Sequence, residues 1–237
     1  MTRLHIIGFR ACVGILLPLL IAITEPATIA QNNDSMLYVV TYVDVRLNSR
    51  TQGAALVKRY REAVLSEKGS PSVNVVQEIG RPNRFVIIEI WKDDASFEAH
   101  EKAPQTAQFR SALQAIHNSP YDQRVHRGLS IDPRALALSP NTVAVVTHVD
   151  VPPPLAAETE VLLKRSAEDS RKHEGSVRYD IFQQTAPRTN HFTVFALWKD
   201  RQAFDSHEMK PSVRQHREAL APLLGAPYDE RLYRPGN

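Results

Sequence analysis

Two stretches of the chain are near copies of each other: Val39-Val40-Thr41-Tyr42-Val43-Asp44-Val45 and Val145-Val146-Thr147-His148-Val149-Asp150-Val151. The correspondence continues to the end of the chain, where Trp91-Lys92-Asp93 returns as Trp198-Lys199-Asp200 and Pro120-Tyr121-Asp122 returns as Pro227-Tyr228-Asp229. The offset is 106 residues at Val39 and 107 at Trp91, so the second copy has one extra residue, predicted between Gly175 and Asn190. This period exceeds the roughly 20 to 50 residues of solenoid units and fits one small domain per copy. The chain is therefore a tandem duplication of one module.

The first half of the module is read from the second copy. Residues 142–151 alternate in polarity and are rich in β-branched side chains, which is typical of a strand. Residues 155–173 have helical spacing of apolar residues, and Gly175 follows as a helix terminator. Two further strands, Ser176–Gln184 and His191–Trp198, enclose a polar turn and are predicted to form a hairpin.

The second half of the module begins with Asp200, which is predicted to cap a short helix. Pro211 is predicted to open the next helix, and a last strand follows Tyr228. Each copy is thus predicted to be an α+β, ferredoxin-like βαββαβ module, and the two are expected to pair as an intramolecular pseudo-dimer. The predicted segments are a first module over 36–128, a linker over 129–141 and a second module over 142–234.

The first thirty residues have a different pattern. Basic residues precede an apolar run, Ala11–Ile23, and the small residues Thr28-Ile29-Ala30 follow it. This predicts a signal peptide over residues 1–30, cut near Ala30, and a periplasmic or secreted protein. A membrane anchor is the alternative, but the run is shorter than the roughly 20 residues of a spanning helix, so no stable membrane insertion is expected after cleavage. The only cysteine, Cys12, lies in this segment, which leaves the mature protein without a thiol.

Composition excludes several classes of function. The chain of 237 residues is 43% hydrophobic and 23% charged, with a formal net charge of +3. Its charges are interspersed rather than clustered, so nucleic acid is not expected as a partner. The sequence also lacks a glycine-rich phosphate loop, a paired-cysteine metal motif and a zincin helix, so no metal site is predicted.

Several motifs together resemble the antibiotic biosynthesis monooxygenase family, over about Met36–Gly128 and Thr142–Arg234. They are the strand-end Trp198-Lys199-Asp200, then Phe204, His207, Pro211, Arg217 and Ala219-Leu220, with Gly175 to Asp180 before the hairpin. The resemblance implies a dimeric α+β barrel with a pocket between each sheet and its helices. It also implies oxygenation of an electron-rich phenol, anthrone or quinol without metal or flavin, so no cofactor is expected.

The chemistry that the resemblance implies needs a base, a cation and an aromatic wall. In the second copy we assign these roles to His207, Arg217 and Trp198, and in the first to the equivalent residues His100, Arg110 and Trp91. His207 shares a helix face with Phe204, so it is expected to point inward, where a pKa near 7 would suit a general base. The alternatives are a structural core histidine, a solvated arginine and a tryptophan that only packs.

Five further residues are predicted to bind substrate: Thr147, Tyr179, Phe204, His216 and Thr41. Thr147 and Thr41 lie on the strand face opposite His148 and Tyr42, because strand side chains alternate. His216 replaces Phe109 of the first copy on an apolar helix face, where it needs a polar partner or a ligand. The second copy has the fuller polar set and is the favoured site.

The chain departs from parts of the family pattern. Some polyketide-oxidising relatives have an asparagine and a tyrosine where this chain has Val194 and Phe204, and the residues of heme-degrading relatives also differ, which disfavours heme. The sequence therefore predicts an exported, cofactor-independent monooxygenase-like protein that oxidises a quinol or polycyclic phenol. The alternative is a non-catalytic module that binds a small aromatic ligand.

Overall fold

The computed structural model describes Met1, residues 35–69 and residues 72–236. The predicted signal peptide and Cys12 lie outside the described residues. The first copy contains β1 (Leu37–Asp44), α1 (Arg50–Leu65), β2 (Ser72–Glu78), β3 (Arg84–Trp91), α2 (Asp94–Glu101), α3 (Pro104–Gln114) and β4 (Asp122–Ser130). The second contains β5 (Val143–Asp150), α4 (Ala156–Ser170), β6 (Ser176–Gln184), β7 (His191–Trp198), α5 (Arg201–Glu208), α6 (Pro211–Leu220) and β8 (Asp229–Pro235). Among the described helices, none has both the length and the apolar character needed to cross a membrane.

The eight strands form one closed antiparallel barrel in the order β1-β3-β2-β8-β5-β7-β6-β4. Each copy contributes four neighbouring strands, and the copies join where β2 pairs with β8 and where β4 pairs with β6. Closure leaves neither sheet with an open edge. The predicted α+β barrel of two ferredoxin-like modules is confirmed, and the extra residue lies in the turn between β6 and β7.

Local signals in the sequence set the helix boundaries as expected. Asp200 Oδ1 accepts a hydrogen bond from the Ala203 backbone N–H at 2.8 Å, which satisfies one free donor of α5. Pro211 occupies the first turn of α6. Gly175 has φ +77°, and a Cβ at this position would lie 2.4 Å from the Ala203 Cβ. Glycine is therefore required where the chain leaves α4 and passes under α5.

Alternation along the strands divides the core into layers. The interior of the barrel is filled from both copies, and Tyr38 of β1 stacks on Phe182 of β6 with 4.7 Å between ring centroids. Thr41 and Thr147 lie on the outer faces of their strands, which are covered by the helices, and both are 1% exposed. The predicted linker also packs on this core, because Leu136 and its apolar neighbours contact the interior cluster.

Candidate functional site

The candidate site of the second copy lies between the sheet and the helices α4, α5 and α6. Trp198 at the end of β7 is 1% exposed, and His207 of α5 is 6% exposed. Their ring centroids are 4.2 Å apart, so the two rings pack face to face at a shallow tilt. His207 therefore points inward, as its spacing from Phe204 predicted. Phe204 is also buried and packs in the same apolar cluster as Trp198.

The environment of His207 makes it a poor base. Its Nδ1 lies 2.8 Å from the Nδ1 of His173, which follows α4. Burial, followed by the nearby charges of His173 and Arg217, lowers the pKa of His207 to about 3. The expectation of a pKa near 7 is wrong, because burial lowers the pKa even though Glu208 Oε1 lies 3.9 Å from His207 Nε2.

Arg217 is engaged by two carboxylates that the sequence analysis did not identify. Its Nη2 lies 2.7 Å from Glu208 Oε2 and 3.1 Å from Glu230 Oε1. Glu230 also accepts a hydrogen bond from the Thr147 hydroxyl at 3.4 Å, and the guanidinium covers the Tyr228 ring at 5.6 Å. Arg217 of α6 therefore forms ion pairs with both α5 and β8, and its positive charge is already balanced before any ligand binds.

A cavity of about 150 Å³ lies between α4 and α6. It is lined by Leu162, Arg165, Ser166, Asp169, Ser170, Ser212, Val213, Gln215, His216 and Ala219. Of the predicted site residues, only His216 belongs to this lining. Its Nδ1 is buried and has no hydrogen-bond partner in the part of the chain that the structure describes. Burial, followed by the charge of Arg217, lowers the pKa of His216 to about 4, so the ring is neutral at pH 7.

Tyr179 of β6 adjoins this cavity. Burial raises the pKa of the Tyr179 hydroxyl, and hydrogen bonding to Ser166 and Ser170 partly offsets that effect. Both serines line the cavity. The structure thus brings together His216, Tyr179 and two serines at one place, whereas Trp198, His207 and Arg217 form the layer beside it. The sequence analysis missed the serines.

The same space in the first copy is filled by side chains. At the offsets of 106 and 107 residues, Tyr60 corresponds to Ser166 and Phe109 corresponds to His216. The rings of Tyr60 and Phe109 stack with their centroids 4.1 Å apart, and both are almost fully buried. A comparison of α1 with α4 at this offset would have found the difference. The signal for a cavity is that a large residue, Tyr60, is replaced by a small one, Ser166, next to His216.

Two predicted residues of the first copy, His100 and Trp91, belong to a closed polar cluster. His100 Nε2 lies 2.9 Å from the Tyr60 hydroxyl, which donates to Glu89 Oε1 at 2.8 Å. On its other side, His100 Nδ1 lies 3.1 Å from Glu67 Oε2, and Trp91 packs with a ring-centroid distance of 4.6 Å. Burial raises the pKa of Glu89 to about 7, although the Tyr60 hydrogen bond opposes the shift.

Arg110 of the first copy repeats part of the Arg217 arrangement. Its Nη2 lies 2.5 Å from Glu101 Oε1, and the guanidinium lies over the Tyr121 ring at 5.2 Å from the centroid. Gln123 replaces Glu230 as the neighbour on the last strand, at 3.3 Å from Arg110. Only one carboxylate therefore pairs with this arginine in the first copy.

The closed barrel with helices packed on its outer face defines a class of protein, namely α+β barrels built from two ferredoxin-like modules. The model of one family, described as Antibiotic biosynthesis monooxygenase, matches residues 36–119 and 142–219. The chain belongs to this family. Membership supports a monooxygenase-like function and a small-molecule ligand, and it confirms the resemblance seen in the sequence.

Individual relatives agree with this assignment. An uncharacterized protein of Synechocystis sp. is 26% identical over 92 residues, which are 39% of this chain and 62% of that protein. The "Putative monooxygenase YcnE" of Bacillus subtilis is 22% identical over 87 residues, or 37% of this chain and 92% of YcnE. A crystal structure from Fusobacterium nucleatum, also named a "Putative monooxygenase", has TM-score 0.75 and 17% identity, with 86% of this chain and 93% of that chain covered. The last likeness shows the shared fold.

Proposed function

We propose that the chain uses dioxygen to oxidise a small hydroquinone or phenol in the cavity between α4 and α6. One observation carries the proposal: His216 lines a cavity that the first copy fills with aromatic rings, and its buried Nδ1 has no hydrogen-bond partner among the described residues. A buried polar atom without a partner costs about 1–3 kcal/mol. A ligand hydroxyl at Nδ1 would recover that cost.

The size of the cavity favours a single aromatic ring. A volume of about 150 Å³ is the size of an engineered protein cavity that binds benzene. The sequence analysis also considered polycyclic phenols, which exceed this volume. The serines at 166, 170 and 212 offer hydroxyls to a second oxygen on the ring. These features support a monocyclic hydroquinone as the substrate class.

The chemistry requires little beyond a hydrogen-bond acceptor and a positive potential. Neutral His216 can accept a hydrogen bond from the ligand hydroxyl, because its lowered pKa keeps the ring in the form that accepts. The electron-rich ring then reduces dioxygen. One oxygen atom forms a bond to ring carbon and the other leaves as water, so hydroquinone and O₂ give hydroxyquinone and water with all atoms balanced. The role assigned to His207 by sequence passes to His216 in this proposal.

The alternative, a non-catalytic binder of small aromatic molecules, has an observation in its favour. The pKa of His216 is lowered to about 4, and Arg217 is already paired with Glu208 and Glu230. A weak base and a neutralised cation bind a neutral phenol well but deprotonate it poorly. The test must therefore measure binding and turnover separately.

The test measures oxygen uptake by the purified full chain with methylhydroquinone in buffer containing EDTA, against the rate of autoxidation. The key variant is H216F, which places the first-copy residue in the second copy, and the control is H117Q, which changes an exposed histidine far from this cavity in sequence. The proposal expects acceleration by wild type and H117Q and none by H216F. Calorimetric binding of 4-methylphenol without oxygen uptake would establish the binder instead. Absence of both binding and turnover would overturn both functions.

We also propose that the mature protein is exported after cleavage near Ala30. The proposal is supported by the basic residues, the apolar run and the small residues of the N-terminal segment. Expression of the full chain in a bacterial host, followed by fractionation and N-terminal sequencing, tests it. A mature N-terminus near Gln31 in the periplasmic fraction is expected, and an uncleaved chain in the cytoplasm would contradict it.

A further inference from the structure

A cluster of two histidines and one aspartate lies on the opposite face of β5 from the helix-face site. His148 and Asp150 are two residues apart on β5, so their side chains share the face that lies towards the barrel interior. Asp150 pairs in register with His191, the first residue of β7. The three side chains are 17%, 25% and 22% exposed, in the order His148, Asp150 and His191. The cluster is therefore partly buried and accessible from solvent.

Both imidazoles approach the same carboxylate oxygen. His148 Nε2 lies 2.7 Å from Asp150 Oδ1, and His191 Nδ1 lies 2.5 Å from the same atom. Neither approach has hydrogen-bond geometry, so the buried Asp150 Oδ1 has no hydrogen-bond partner among the described residues. The three candidate ligand atoms all lie within 4.8 Å of one another. Two imidazole nitrogens thus converge on one carboxylate oxygen.

The first copy has an ordinary ion pair at the equivalent place. Tyr42, Asp44 and Arg84 correspond to His148, Asp150 and His191 at the offsets of 106 and 107 residues. Arg84 Nε lies 3.1 Å from Asp44 Oδ2 and supplies the positive charge that the carboxylate needs. In the second copy, imidazoles replace both the guanidinium and the tyrosine. The carboxylate there lacks a permanent counter-charge within its own set of three residues.

We propose that His148, Asp150 and His191 bind a divalent first-row transition ion, with Zn²⁺ as the reference ion. Two imidazole nitrogens and one carboxylate form a common donor set for such ions and leave at least one position open. Zinc bonds of about 2.0 Å in tetrahedral geometry separate donor atoms by about 3.3 Å. The two nitrogens therefore need to move away from Asp150 Oδ1 by less than about 1 Å.

The open position would face a polar cavity at the barrel mouth. His148 is part of the lining of a cavity of about 640 Å³, together with Arg124, Asp122, Asp229 and other residues of both copies. The lining arginines Arg84, Arg124 and Arg231 oppose a cation there, whereas the four lining carboxylates, Asp44, Glu78, Asp122 and Asp229, favour one. The site lies across the sheet from His216, so the proposed oxidation, which is assayed in EDTA, can fail or succeed independently of metal binding.

The decisive variant is H191R, because it removes one ligand and restores the arginine–aspartate pair of the first copy. The same contact at Arg84 shows that the barrel accommodates it, so H191R should keep the melting temperature of wild type in EDTA. A second variant, D150N, keeps the shape of the side chain and removes its charge. The control is H117Q, which removes an exposed histidine outside the cluster.

The experiment titrates the metal-free full chain with Zn²⁺ by calorimetry and with Co²⁺ by visible absorption. Wild type and H117Q should bind one equivalent, with Co²⁺ bands of four- or five-coordinate geometry and a higher melting temperature when Zn²⁺ is present. H191R and D150N should lose at least about tenfold in affinity, since each removes one of three protein ligands. The proposal is overturned if wild type binds less than one equivalent at millimolar Zn²⁺, or if H191R binds Zn²⁺ as tightly as wild type.

Discussion

Replacement of His216 by phenylalanine should stabilise the protein, although His216 is the centre of the proposed site. The substitution removes the buried Nδ1 that has no hydrogen-bond partner, which relieves about 1–3 kcal/mol of desolvation cost. The larger ring also fills part of the cavity of about 150 Å³, in the way that Phe109 fills the first copy. For a chain of this size, 1 kcal/mol shifts the melting temperature by about 2–4 °C. The expected rise is therefore about 2–12 °C.

The reciprocal substitution, F109H, provides the matched comparison. It breaks the stack on Tyr60, whose centroid is 4.1 Å away, and buries an imidazole at a position that is 3% exposed. The expected loss is about 1–3 kcal/mol, because a polar ring replaces a well-packed apolar one. Urea unfolding at pH 7 and differential scanning calorimetry measure both variants. The reasoning is refuted if H216F is less stable than wild type, or if the two substitutions shift stability in the same direction.

Three other predictions concern the rest of the barrel. The pKa of Glu89 is raised in the folded state to about 7 from 4.5, so its stabilising contribution is complete below pH 4.5 and is lost as pH rises to 7. The free energy of unfolding of the wild type should therefore fall by up to about 3 kcal/mol across this range. E89Q should remove this decrease, as measured by urea unfolding at several pH values. F182A should cost about 3–5 kcal/mol because it removes the stack with Tyr38 between the two copies, and calorimetry should still show one transition; two separate transitions would contradict a shared core. R217Q should lower the free energy of unfolding by about 1 kcal/mol more than R110Q at pH 8, because it leaves two carboxylates without their arginine whereas R110Q leaves one. This difference between the variants should shrink at pH 5. Equal losses of stability for the two variants at both pH values would count against this.

The sequence predicted the elements of the fold well because each one has a local cause. Asp200 caps α5 by a bond to an N–H three residues away, and Gly175 adopts a positive φ that other residues resist. Alternation in a strand fixed the opposite faces of Thr147 and His148. The repeat then implied two equal modules. Two such sheets can satisfy their unpaired edge strands by pairing with each other, which closes the barrel.

The site could be predicted only in part, because its properties depend on side chains distant in sequence. The pKa of His207 depends on burial and on His173, which lies 34 residues away. Arg217 could be placed on its helix from the sequence, but its partner Glu230 comes from another strand. The site roles of Trp198, His207 and Arg217 stay predictions, as do their counterparts in the first copy.

The amino-acid sequence by itself determined the duplication, the order of strands and helices, the family and the faces on which the key residues lie, since these follow from periodicity and from short-range backbone preferences. Only the tertiary structure decided that a cavity lies between α4 and α6, what neutralises Arg217, and that His148, Asp150 and His191 converge across two strands. Cavity volume, desolvation and the distances between ligand atoms each depend on atoms from several helices and strands. They are therefore determined only when these elements pack together.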